Sequence, residues 1–161
     1  MFINCSGKKM KNIKNIFHSN SIPKTITFCV LTFGIYVIYQ LFTLTRIVNE
    51  NVVNPIPQWF SISAITIHLI SYFSLIIFFV ASGSQELLIF SKAMHVISSI
   101  FHITWLIKVR NRINQIIGAK KGGDLWLNPI LSSFLHVIYI QHKINQFLHK
   151  PISANSHTGN V

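Results

Sequence analysis

Four histidines, His68, His95, His102 and His136, stand inside long apolar stretches of the chain, where an imidazole meets few polar neighbours. An ionisable side chain in hydrocarbon costs free energy unless it faces a partner or a cavity, so each is a functional candidate by default. Imidazole offers three chemistries there: axial ligation of a haem, ligation of a metal ion, and proton relay. His95 and His102 are seven residues apart and share a helix face, so opposite His68 or His136 they could form an axial pair. Against this, no acidic residue lies within any apolar stretch, and carboxylates usually support metal-bound histidine. Neutral histidines that hydrogen-bond between helices fit the same pattern. The expectation is therefore no cofactor and no metal, with these four as the only cofactor-binding candidates.

Other catalytic patterns are missing. The chain has no Gly-rich phosphate loop, no H-E-x-x-H and no G-x-S-x-G elbow. Its three acids, Glu50, Glu86 and Asp124, lie in or near loops and leave little for general acid–base work. Gly118, Gly122 and Gly123 flank Lys120 and Lys121, but Asp124-Leu125 leads straight into an apolar run, so a flexible basic hinge is expected there. Cys5, in a basic tail, and Cys29, in an apolar run, form neither a disulfide framework nor a metal-ligand spacing. Asn4-Cys5-Ser6 fits the glycosylation pattern formally, but its basic surroundings point to the cytoplasmic side. No enzyme is expected.

The elements that must position the histidines are four apolar runs, at about 25–45, 59–82, 87–107 and 125–142. Lys24 and Arg46 bracket the first, and its 21 uncharged residues at about 1.5 Å each cover the roughly 30 Å of a bilayer's hydrocarbon core. Half of the 161 residues are apolar and only 11% are charged, against roughly 25% in soluble domains. The fold class expected is an all-α integral membrane protein, with four membrane-embedded helices joined by basic amphipathic segments. Residues 1–24 form a basic polar tail, in which Met10, Ile13, Ile16 and Phe17 sit near helical spacing; residues 25–148 form the membrane domain, and 149–161 a polar C-terminal tail. Asn54-Pro55-Ile56-Pro57 marks a loop, Trp59 and Trp126 open the second and fourth runs as interfacial anchors, and Asn128-Pro129 suits a helix start.

The net charge of +11 follows the ends of these runs. A nucleic-acid binder would carry such charge on a soluble domain with base-stacking aromatics, whereas these aromatics lie inside the apolar runs, so no nucleic-acid partner is expected. Anionic lipid head groups are the expected partner, with Lys108, Arg110, Arg112, Lys120 and Lys121 as the lipid-binding residues. A second copy or another membrane protein completes the expected partners. Four plain spans divide the bases eight against six across the membrane. If the first and fourth runs instead enter and return on one side, every base except Lys92 shares that side, a far stronger positive-inside bias. Gly34, at the middle of the first run, could break such a hairpin; the fourth run has no central Gly or Pro. Both arrangements stay open. In either, the expected location is a multi-pass position in a bacterial inner membrane with the N-terminus cytoplasmic.

The chain also echoes itself. Arg112-Ile113-Asn114-Gln115 returns as Lys143-Ile144-Asn145-Gln146, Arg46-Ile47-Val48-Asn49 leaves the first run similarly, and Val37-Ile38-Tyr39 resembles Val137-Ile138-Tyr139. Val109, Ile113, Ile116 and Ile117 share one face, as do Ile144, Phe147 and Leu148. Each copy thus reads either as an amphipathic helix lying on the membrane or as the solvated end of a transmembrane helix.

Leu31-Thr32-Phe33-Gly34-Ile35-Tyr36-Val37-Ile38-Tyr39, with Arg46 and Asn49 beyond, resembles the motif of the domain of unknown function 4234 family, small and mostly prokaryotic membrane proteins. A degenerate second copy runs Ile100-Phe101-His102-Ile103-Thr104-Trp105, with Lys108 and Asn114 beyond. Gln40 stands where that family usually has Trp, and the second copy keeps the Trp but lacks the Gly-Ile-Tyr core. The resemblance covers about residues 23–115; it implies a multi-helix membrane protein and no activity. The role expected is that of a non-enzymatic membrane scaffold or partner-binding protein. A small transporter or channel subunit is the alternative, and an intramembrane haem-binding electron carrier the third.

Overall fold

A computed structural model describes residues 15–81 and 83–149. The expected amphipathic turn over Met10 and Ile13, the first four tail lysines, Cys5 and the C-terminal tail lie outside the described residues. The described chain is all-helical: α1 (Ile22–Leu31), α2 (Ile35–Asn49), α3 (Gln58–Val80), α4 (Gln85–Ile116) and α5 (Pro129–His149).

Among the described residues, only α3 and α4 are long and apolar enough to cross a membrane. Just 17% and 11% of their most apolar stretches are buried, which sets them apart from core helices of a soluble protein. Their contact is built from small residues. Beyond Phe60, the buried positions of α3 are Ser61, Ala64, Ser71 and Ser74, and those of the far part of α4 include Ser91 and Ser98. Small side chains let two helix backbones approach closely, while Ile, Phe and Val point outward. Apolar residues outside and polar residues inside is the reverse of a soluble pair.

The first and fourth runs are not continuous helices. The first breaks at Phe33 (φ 48°) and Gly34 (φ 90°), where the Gly34 N–H reaches back to the Cys29 carbonyl at 2.9 Å and closes α1. Glycine carries the left-handed backbone that L side chains resist. Phe28 and Tyr36, which would lie roughly 12 Å apart along one straight helix, have ring centroids 5.2 Å apart across this turn. The fourth run breaks at His136 (φ 48°, ψ −137°), with no glycine or proline to announce it. There α5 folds back, so that the Asn128 N–H reaches the Tyr139 hydroxyl at 3.3 Å and Lys143 Nζ reaches the Asp124 carbonyl. The four apolar runs thus fall on two continuous helices and two broken ones.

Three asparagines hold the ends together. Asn49 Nδ2 donates to the Ile56 carbonyl (2.9 Å) while its Oδ1 accepts the Ile56 N–H (2.7 Å). Asn114 does the same to Leu127 (3.3 and 2.9 Å), and Asn145 to Asn20 (2.7 and 3.3 Å). Each gripped residue stands two positions before a helix, before α3, α5 and α1 respectively. These are the asparagines of the echoed words, so the repeat encodes a clamp on the incoming chain. The apolar residue before each one, Val48, Ile113 and Ile144, is buried. The Val-Ile-Tyr echo has no such common role, since Tyr39 is exposed and Tyr139 buried.

The clamps gather the start of α1, the end of α2, the start of α3, the end of α4 and both ends of α5 at one end of the molecule, here the near end. Arg112 Nε adds a bond to the Asn54 carbonyl (3.0 Å), and Gln141 Nε2 one to the His18 carbonyl (3.1 Å). Of the described residues, the far end holds only the α3–α4 link. The core fills the near half: Leu41, Val48, Trp105, Leu106, Val109, Ile113 and Ile140 are inaccessible. At its centre the Trp105 indole N–H donates to Thr45 Oγ1 at 2.8 Å, joining α4 to α2. Helix α4 runs unbroken through Ile116, so Val109 and Ile113 pack against protein. Residues 108–116 are therefore the end of a long helix and not a separate surface helix, and Ile144 and Phe147 are buried likewise.

Removing a clamp leaves two main-chain groups unpaired, and the cost depends on how dry they are. Asn114→Ala, beside the inaccessible Leu127, is expected to lose about 2–4 kcal/mol in detergent unfolding. Asn145→Ala, whose bonds are exposed, should lose about 1 kcal/mol or less. Equal losses at both positions would contradict this ranking.

Candidate functional site

The two breaks and the four histidines meet. Gly34 and His136 line one cavity of about 490 Å³ with His68, His95 and His102, and with Ser98, Ser99 and Ser133. Each element delivers its histidine for a different reason. His68 follows Ser61 and Ala64 on the α3 face that meets α4, and its Nδ1 lies 3.1 Å from Ser98 Oγ. His95 and His102 share the α4 face turned to the cavity, as their seven-residue spacing predicts. His136 arrives because it is itself the break in α5. His102 is central: its ring centroid lies 6.3 Å from that of His68 and 5.0 Å, edge-on, from that of His136.

One nitrogen on each ring is buried without a hydrogen-bond partner in the protein: His68 Nε2, His95 Nε2, His102 Nδ1 and His136 Nδ1. All four belong to residues that line the cavity, yet the atoms themselves have almost no accessible surface, so each carries the cost of an unpaired buried polar group, roughly 1–3 kcal/mol. Among the described residues no three His, Cys, Asp or Glu side chains are placed to hold one metal ion. Its lining residues offer imidazole nitrogens and hydroxyls and no carboxylate.

The five bases expected at the lipid surface divide into two groups. Lys120 and Lys121 are exposed in the loop after α4, where Gly118 (φ 64°) and Gly122 (φ 81°) turn the chain. Arg110 is buried: its Nε donates to the Leu127 carbonyl and its guanidinium lies over the Trp126 ring at 5.0 Å. Arg112 holds the Asn54 carbonyl, and Lys108 sits over the Phe60 ring at 5.2 Å. Three of the five thus brace loops and rings at the near end, and two face outward.

Sequence reasoning singled out the histidines and Gly34 but missed His136 as a break and the asparagines as clamps. A signal for the clamps was present: Asn114 interrupts an apolar face directly after the buried Ile113. His102→Leu removes an imidazole together with its unpaired nitrogen, and is expected to raise stability by about 1 kcal/mol in detergent unfolding. A loss of similar size would show that the nitrogen is engaged in the purified protein.

No protein-family model, curated protein or solved structure matches the chain.

Proposed function

We propose that the chain is a non-enzymatic integral membrane protein inserted from one face of the bilayer, acting as a scaffold anchored in the anionic leaflet. In this reading α3 and α4 cross, while α1–α2 and α5 enter and return as broken hairpins. The observation that carries it is the gathering of all the clamped ends at the near end, while both breaks lie half-way along α3 and α4. Charge supports it: of the described Lys and Arg residues, only Lys92 stands away from the near end. The positive-inside tendency then puts that end, with the Asn51 and Lys121 loops, on the cytoplasmic side. Broken backbone at membrane depth must be shielded by protein; Gly34 and His136 line the cavity beside α3 and α4, while Phe33 projects outward. Lys120 and Lys121 are free to meet anionic head groups, each contributing roughly 1 kcal/mol near the surface.

A second reading, a small transporter or channel subunit, is favoured by the histidine and serine residues that line the cavity. An oligomer would be needed to close a pathway lined by serine and histidine. Flux of a small solute or of protons in proteoliposomes is its test, and a Soret band in purified protein is the test for haem.

For the first reading, Asn51→Cys, Lys121→Cys and Gln85→Cys are made singly in a chain carrying Cys5→Ser and Cys29→Ser. A membrane-impermeant thiol reagent applied to whole cells is expected to label the Gln85 position and spare the other two. Labelling of the Lys121 position from outside would overturn one-sided insertion. Lys120→Gln with Lys121→Gln should reduce co-purified anionic lipid at least twofold by native mass spectrometry.

A further inference from the structure

The two halves of the molecule differ in thickness. In the near half six helical arms pack side by side: α1, α2, the first half of α3, the second half of α4 and the two arms of α5. Past the level of the histidine cavity only α3 and α4 continue. Burial changes at the same level. Trp105, Leu106, Val109 and Ile113 on the near part of α4 are inaccessible, whereas Ile89 and Phe90 on its far part are at least half exposed. On α3, Phe73, Ile77, Phe79 and Val80 are all more than half exposed beyond His68, as Trp59 is before it, so the change is carried by α4. The far half is a bare two-helix pin.

Resting on one-sided insertion, we propose that the protein bends membrane, acting as a wedge that expands the leaflet holding its basic end. A helix about 10 Å across occupies roughly 80 Å², so four additional arms add roughly 300 Å² of cross-section to one leaflet and none to the other. Interdigitated cores resist compression, so the lipids accommodate the difference by curving. The Asn clamps and the Trp105–Thr45 bond keep the wedge from splaying, because they tie α2 and the start of α5 to α4 and the end of α5 to the start of α1. The occupant of the bare far half is lipid. Its surface is Ile, Phe and Val, and the one base on that part of α4, Lys92, can extend along the helix toward head groups. The sign of the effect is fixed by the shape: the membrane curves away from the basic end, which lies on the convex side.

The test uses the full chain carrying Asn51→Cys with Cys5→Ser and Cys29→Ser, dye-labelled and reconstituted into giant vesicles of phosphatidylcholine with phosphatidylglycerol. A narrow tube is pulled from each vesicle, and the protein-to-lipid fluorescence ratio is compared between tube and flat membrane. An impermeant quencher reports which way the Asn51 end faces. The expected result is several-fold enrichment in the tube when that end faces outward, and depletion when it faces inward. Equal density in tube and flat membrane, with orientation verified, overturns the wedge. That is also the result if a second copy covers the far half and evens the cross-section. Labelling of the Asn51 and Gln85 positions from the same side would overturn one-sided insertion itself, and is read independently of sorting.

Discussion

A main-chain amide that leaves water has to be paired, and just before α3 and α5 the buried Ile56 and Leu127 leave water outside any helix. Asn20, just before α1, is gripped in the same way although it stays exposed. Asparagine answers this because its side-chain amide presents a donor and an acceptor side by side, the same pattern as a neighbouring strand. One side chain thus satisfies both groups of Asn20, Ile56 or Leu127 and fixes where the next helix begins. Every other contact at the near end is arranged around these three grips. Arg110 joins Asn114 on the Leu127 carbonyl, and Lys143 holds the same loop from the other side.

The breaks obey the same constraint in a different way. Gly34 meets it locally, by bonds within the turn: its N–H goes to the Cys29 carbonyl, and Thr32 Oγ1 accepts the Tyr36 N–H at 3.0 Å. At His136 an imidazole stands at positive φ, a conformation that costs a non-glycine residue roughly 1–3 kcal/mol. That strain is offset by what the fold-back permits, namely burial of Val137, Tyr139 and Ile140 beside α4 and the bond between Tyr139 and the Asn128 amide. The histidine cavity is the space left where two reversing chains cannot fill the angle against a straight helix pair.

Much of this was legible in the residues. The charge-free stretch from Gln58 to Val80 marked α3, and Gly34 marked the first break because glycine at the centre of an apolar run has a backbone meaning. The histidines were legible because polar atoms in apolar runs are costly. The second break was not, because nothing about His136 as a residue type announces positive φ; only long-range packing imposes it. The repeated base-Ile-Asn words were seen but read as amphipathic faces. Periodicity reports which side is apolar, and it does not say whether lipid or protein covers that side. For Val109 and Ile113 it is protein. The two parts of the echo also sit in different registers, a shift of 100 residues from Val37 to Val137 but 96 from Asn49 to Asn145, so no single alignment could expose both.

The short link between Val80 and Gln85 has a consequence for how such a chain enters a bilayer. It is the only connection at the far end, and the charged residues on that part of the chain are Glu86 and Lys92, one of each sign. Moving a charged side chain through hydrocarbon is the costly step of membrane insertion. A hairpin of two apolar helices with so little to carry across can be threaded as a unit. On the proposed one-sided insertion, the two broken hairpins fold in from the side of synthesis, and no described base other than Lys92 has to be translocated.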